Sequence, residues 1–505
     1  MNIITTINSL PIILSVLPFL VFLFLLFIKK TTLLKSSAIT LFFYTILAVF
    51  YWQIIGTYLY ASFGKGIFVA IDILLIIFGA IFFLEILKDL KIIKNISHYL
   101  SGISKDYRIQ VILIAWFFEC FLEGTAGFGT PAAIAVPLLI GLGLPPIRAL
   151  VVGLLGNSIP GIFGAAGTPI KVGFSTLNVA SVPQYAALLN TVGMIIPVFM
   201  LWVITSGRPN RKKEFFEALP FAIWSGFLFV AFSLLSLKLF GQEFPSILGS
   251  LVGMIIAVLS IKFGIFVPKN QLTLNENQED IKTMSAFKSF LPYIILVACL
   301  ILGKIVLGKI GFPIGIGFKH TFNLFNPGVI FLFVSFIVII FWQSKKQLII
   351  KSFKSAFRGA IIPFLVIASM LAMVEIMKNS GNNLSGLPSA INIIAKAIES
   401  NFLPFFAPFA GAFGALLTGS VTASNVMFGT LFNTTALSVG FNQSIILALL
   451  VVGAGIGNMI ALADILTAEA VIGEKNAERK ILKGVLIPCL TCLFIVGIIG
   501  IIILR

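Results

Sequence analysis

The sequence predicts an all-α polytopic membrane protein: about twelve transmembrane helices plus two hairpins, arranged as inverted-topology repeats. Three observations carry this. The 505 residues are 59% hydrophobic and only 10% charged, and runs of about 18 or more apolar residues recur along the chain. Two polar, glycine-rich stretches, Glu123-Gly-Thr-Ala-Gly-Phe-Gly-Thr-Pro131 and Gly419-Ser-Val-Thr-Ala-Ser-Asn-Val-Met-Phe-Gly429, each interrupt an apolar run, one in each half. Lys and Arg collect in short loops that fit the positive-inside rule.

The apolar runs are continuous, which excludes the alternating pattern of a β-barrel. The first span lacks a basic leader and a small-residue cleavage site, so it reads as a retained helix. Candidate spans are 10–28, 37–57, 66–87, 147–166, 185–206, 219–240, 245–266, 287–308, 326–343, 359–377, 441–461 and 481–504. The segments 109–142 and 402–438 read as hairpins.

Basic loops around Lys29–Lys35, Lys88–Arg108, Arg208–Lys213, Lys345–Arg358 and Lys475–Lys483 all fall on the cytoplasmic side, with both termini outward. The first hairpin then enters from inside and the second from outside. Residues 1–207 form one repeat with the 109–142 hairpin. Residues 287–505 form an oppositely oriented repeat with the 402–438 hairpin, and 208–286 supply two linking spans and a polar cytoplasmic loop. Local sequence repeats weakly: Gly156-Asn157 follows the first hairpin and Gly457-Asn458 the second.

Irregular backbone survives in hydrocarbon only where protein or a water-filled cavity covers it. Paired interruptions are therefore the expected mark of a transporter binding site. Thr125, Gly127, Gly129 and Thr130 on one tip, with Ser420, Thr422, Ser424 and Asn425 on the other, offer hydroxyls, an amide and backbone N–H groups. They are the expected substrate contacts. The competing reading of the small residues is close helix packing. Glu123 opens the first tip. A carboxyl there is desolvated, which suits proton exchange, although a structural cap is the plainer role. Glu119 lies one turn earlier on the same face. Asp464 and Glu469 lie near an inner helix end, and Asp464 is a second candidate for proton coupling. Lys171 either pairs with a substrate carboxylate or snorkels to headgroups.

Several classes fall away. The net charge of +17 is explained by the basic loops, so no nucleic acid is expected. Cys489 and Cys492 form a C-x-x-C on an apolar helix, without a second pair to support metal or redox chemistry. His98 and His320 are the only histidines. No nucleotide-binding loop is present. The expectation is a protein that is not an enzyme, with no cofactor or metal, driven by a proton gradient or by sodium.

Glu123–Ile134, Gly141-Leu-Gly-Leu-Pro-Pro146, Phe163-Gly164-Ala-Ala-Gly167, and Gly419–Asn425 with Phe428 resemble the lactate permease family over nearly the full length. The resemblance implies proton-coupled transport of L-lactate, D-lactate or glycolate. It also implies membership of a superfamily in which paired hairpins move as an elevator-type transport domain against a scaffold. The sequence departs from the family where a motif resembling Gly-Lys-Met-Ile-Ser-Pro-Gln reads Gly457-Asn-Met-Ile-Ala-Leu-Ala463. If the missing lysine holds a carboxylate, Lys171 is a candidate substitute.

The leading expectation is proton-coupled symport of a small monocarboxylate across the cell membrane. The alternatives are a sodium-coupled carrier of another organic anion and, further off, a channel. Expected partners are a small carboxylate, a proton and the lipid bilayer; a homo-oligomer is compatible with the sequence and not required by it.

Overall fold

The computed structural model describes residues 9–29, 31–127, 130–177, 180–274, 284–314, 320–466 and 477–504. α1 (Ser9–Leu23) runs on through a π turn at Phe24–Ile28. α2 (Leu33–Phe50) starts at Thr32, whose hydroxyl accepts the Lys35 N–H. α3 (Gly56–Asp89) is followed by a short helix, α4 (Ile92–Ser101), that hydropathy alone did not separate. The first hairpin rises through α5 (Tyr107–Ile112), a π stretch and α6 (Glu119–Thr125), and returns as α7 (Thr130–Gly141).

Next come α8 (Pro146–Ser158), a 3-10 turn at Ile159–Phe163, and α9 (Gly164–Gly173). α10 (Val182–Leu189) and α11 (Ile196–Thr205) make one interrupted span, and α12 (Arg211–Phe240) and α13 (Pro245–Lys262) link the halves. α14 (Ala286–Leu307) leads to an antiparallel ribbon, β1 (Gly311–Ile314) with β2 (His320–Asn323), pairing Gly311 with Asn323. Then follow α15 (Pro327–Phe341), α16 (Lys346–Asn379) and α17 (Ala390–Ala397). The second hairpin is α18 (Leu403–Thr418) and α19 (Val421–Val439). α20 (Gln443–Gly457) ends in a 3-10 turn at Asn458–Ile460, and α21 (Glu478–Leu504) closes the chain.

Among the described residues, 10 helices or helix runs are long and apolar enough to cross a membrane. Two further expected spans, Leu10–Leu26 and Pro327–Phe341, are apolar but shorter. The chain is an all-α polytopic membrane protein. One arm of each hairpin has 12 and 16 residues respectively, short of the roughly 20 needed to span.

Polar contacts join loops that charge bias puts on one side. Inside, Lys351 Nζ donates to Asp89 at 2.9 Å and Ser355 Oγ to Glu85 at 3.0 Å. Outside, Trp52 Nε1 donates to the Pro388 carbonyl at 3.2 Å, and Lys65 pairs with Glu375 at 3.3 Å. The start of the loop after α13, residues 267–274, is not a free linker. Asp106 accepts the Leu272 N–H at 3.1 Å, and the fully buried Arg108 donates to Asp106 Oδ2 at 2.6 Å and to the Asn270 carbonyl at 2.9 Å. This start of the loop is thereby fastened to the base of the first hairpin.

α3 and α16, 34 residues each, pack along one another through close backbone approaches: a Cβ at Gly66 would stand 2.7 Å from Ala372 N. α18 and α20 pack as tightly, with a Cβ at Gly411 meeting the Leu450 carbonyl at 1.9 Å. Small residues permit this where lipid supplies no hydrophobic drive between helices. The apolar interior divides into two. The larger core surrounds the hairpins and α20. A smaller cluster lies between α3 and α16 on one side (Val69, Ile73, Met370, Leu371) and α9 and α19 on the other (Val172, Ala423, Val426, Met427).

Candidate functional site

Both hairpin tips and two breaks in neighbouring helices meet at one place. The first tip turns at Gly127, with φ +56°. The second turns at Gly419, left-handed at φ +64°, where a Cβ would lie 2.7 Å from that of Ala463. Only glycine fits such a conformation at so close an approach. Ser420 caps α19, its Oγ accepting the Ala423 N–H at 3.3 Å.

The expected continuous span 147–166 is instead broken. The chain leaves the helix at Gly164 and passes through three consecutive left-handed residues, Ala165 (φ 40°), Ala166 (φ 53°) and Gly167 (φ 77°). Its counterpart is at Ala461, extended at φ −61°, ψ 118°, after which 462–466 are helical again. The two broken helices touch: a Cβ at Gly455 would stand 2.5 Å from Ile162. Unwound backbone at membrane depth needs something to satisfy it, and a binding cavity does so.

The pocket formed there is lined by Glu123 and Gly127 from the first tip and Gly419–Thr422 from the second. Gly161, Gly164, Ala165, Thr168 and Pro169 come from the first break and Asn458 from the second. Its volume is about 30 Å³. That suffices for a water or two and is small for a three-carbon carboxylate.

Glu123 is the central side chain. It is 5% exposed and lies at the end of α6, so it caps no helix start. Its Oε1 is enclosed by glycines: a Cβ at Gly164 would stand 2.5 Å away, one at Gly127 3.3 Å and one at Gly161 3.8 Å. Its Oε2 is buried without a hydrogen-bond partner, as are Asn458 Oδ1 and Asp464 Oδ2. Glu123 and Asp464 are near enough for their charges to interact. Buried polar atoms left unmatched are costly, so a bound proton, cation or substrate has reason to complete them.

Of the residues singled out from sequence, Glu123, Gly127, Ser420 and Thr422 come together in the pocket. Thr125 lies behind it, its hydroxyl donating to the Leu122 carbonyl at 3.0 Å. Ser424 Oγ donates to the Gly411 carbonyl at 2.8 Å, holding the hairpin arms together. Asn425 Nδ2 donates to the Pro169 carbonyl at 3.0 Å, tying the second hairpin to the first break. Lys171 instead borders two other cavities. Gly129 and Glu469 lie outside the described residues; Thr130 begins α7. Glu119, on the same arm as Glu123, is fully buried against Gly153 and Gly156 and does not line the pocket. The sequence reading missed the lining role of Gly161–Pro169. Pro160 and Pro169 within an apolar run were the available signal.

The L-lactate permease family profile matches residues 11–312 and 306–505. The chain belongs to the L-lactate permease family. It is similar to the L-lactate permease of Bacillus subtilis strain 168, 28% identical over 462 residues, 79% of this chain and 78% of the relative. That of Escherichia coli K12 is 27% identical over 467 residues, 84% and 83%. That of Salmonella typhi is 27% identical over 527 residues, 96% and 94%. Among solved structures it is similar to the Alcanivorax borkumensis YdaH transporter, 12% identical, TM-score 0.47, covering 88% of this chain and 87% of that one. As a permease-family member, the chain is a multi-pass transporter of the cell membrane.

Proposed function

We propose that this chain is a proton-coupled symporter of a small monocarboxylate, with lactate and glycolate as substrates. The observation that carries the reading is the meeting of both hairpin tips and both helix breaks around Glu123. The start of α19 and the unwound backbone near Gly164 offer N–H groups to a carboxylate, as helix starts do for anions. Asn458 contributes an amide where the family motif has lysine. Glu123 carries the proton and Asp464 modulates it. One anion moving with one proton is electroneutral, so the membrane potential does not oppose uptake. The names of the relatives support lactate. No cofactor is needed beyond the ion gradient.

At about 30 Å³ the pocket is small for a three-carbon acid, so the tips part to admit substrate. We assign the movement to an elevator. The hairpins, α8–α9 and α20 travel against a scaffold containing α3 and α16, within inverted repeats at 1–207 and 287–505. The separate apolar cluster between these bodies supports this division.

A sodium-coupled carrier of another organic anion is the second reading. It is favoured by Asn458 in place of the motif lysine and by Asp464 as a second carboxylate beside Glu123. Uptake of labelled L-lactate into proteoliposomes separates the two, with proton and sodium gradients imposed singly and glycolate, pyruvate and succinate as competitors. Proton-driven uptake blocked by glycolate is expected. Uptake driven only by sodium, or none of lactate in folded protein, would replace the first reading.

A further inference from the structure

Lys171 lies on α9 two residues beyond Pro169, yet it points away from the tip pocket. It is half-buried, with its ammonium 5.8 Å from the Phe325 ring centroid. Asp72 on α3 and Glu243 between α12 and α13 influence it from beyond ion-pair distance, with Lys304 opposing them. Neighbouring lysines differ: Lys65 pairs with Glu375 at 3.3 Å, and Lys304 pairs with Glu243. Among the described residues, Lys171 has no such partner. An ammonium partly withdrawn from water is costly unless an anion completes it.

The space beside it can hold one. Lys171 borders a cavity of about 370 Å³ between α3, α9 and β2, which Ser175, Thr321 and Asn323 also line, together with the Asp72 carboxylate and with Lys65, itself paired with Glu375. The tip pocket, at about 30 Å³, is small for a three-carbon acid in this conformation; this cavity can take one. Its walls belong to segments that charge bias places at the outer face: the start of α3, the end of α9 and the ribbon before α15.

We propose that this cavity is a capture site for a small carboxylate, on the outer side and separate from the tip pocket, where Lys171 holds the anion before the tips part. The proposal rests on the reading of the chain as a small-carboxylate carrier. A cation at the mouth of a path raises the local concentration of anions and favours their arrival. Losing it weakens capture while leaving later steps intact.

The test uses full-length protein in proteoliposomes. Lys171→Ala should raise KM for L-lactate by about 3- to 10-fold with kcat within about twofold. Lys171→Cys is then made in protein whose half-buried Cys299 is replaced by Ser, the other cysteines being buried. An aminoethyl methanethiosulfonate, which restores an ammonium, should bring KM back towards wild type; a sulfonatoethyl reagent should not. L-lactate or acetate should slow labelling of the introduced thiol. An unchanged KM together with labelling indifferent to carboxylates overturns the proposal. Labelling needs no transport. If the wild-type protein carries no lactate, the carrier reading fails by itself: protection by acetate or succinate still supports the capture site, and lack of protection rules it out.

Discussion

Glu123 and Glu119 show how far one helical turn changes a carboxyl. Spacing puts both on one face of the same arm. Packing gives Glu123 to the pocket, ringed by Gly127, Gly161 and Gly164, and seals Glu119 against Gly153 and Gly156. Glu123→Gln keeps size and hydrogen bonding but cannot exchange a proton. Accumulation driven by a pH gradient should fall by about tenfold or more, while lactate–lactate counterflow persists. Retained pH-driven accumulation would move the proton to another group. The glycines around Oε1 follow the same logic: any side chain at Gly164 would occupy the space that the carboxyl needs.

At the scale of elements, the decisive feature is the break between α8 and α9. Ala165 and Ala166 are held left-handed, which costs about 1–2 kcal/mol for a non-glycine residue. Ala166 is fully buried, and removing its methyl costs about 1 kcal/mol in lost burial. The two terms offset, so Ala166→Gly should change stability by less than about 1 kcal/mol. A β-branched side chain is far worse in this region, and Ala166→Val should destabilise by about 2 kcal/mol or more. Thermal unfolding of the two variants in detergent measures the contrast; equal midpoints would mean that the segment is not left-handed. The loop 268–286 makes a related point. Its polar composition suggested a linker, but at its described start Asn270 and Leu272 are held on the first hairpin by the buried Asp106–Arg108 pair.

For the whole molecule, the question is what moves. Side chains of α3 and α16 meet those of α9 and α19 through an apolar cluster separate from the main core. Such a surface, with few directional bonds to break, suits sliding. Met370 and Met427 belong to that cluster from opposite sides. Replacing both with Cys and bridging them with a flexible bifunctional methanethiosulfonate should stop uptake, and reduction should restore it. Full uptake in bridged protein would confine the motion to the hairpin tips.

The sequence alone determined the membrane class and the family motifs. Apolar length, charge bias and glycine-rich interruptions are local properties that need no knowledge of neighbours. It also picked out Glu123, Gly127, Ser420 and Thr422, because polar groups on a tip within an apolar run have few bland explanations. Only the tertiary structure decided which polar groups face the pocket. The hydroxyls of Thr125 and Ser424 turn to carbonyls of their own hairpins, Asn425 turns to Pro169, and Lys171 opens onto the outer cavity. The last two depend on the break before Pro169 and Lys171, with left-handed turns at Ala165, Ala166 and Gly167, two of them at alanines. An alanine carries no local signal for such a turn; the packing of four separate segments around it imposes one.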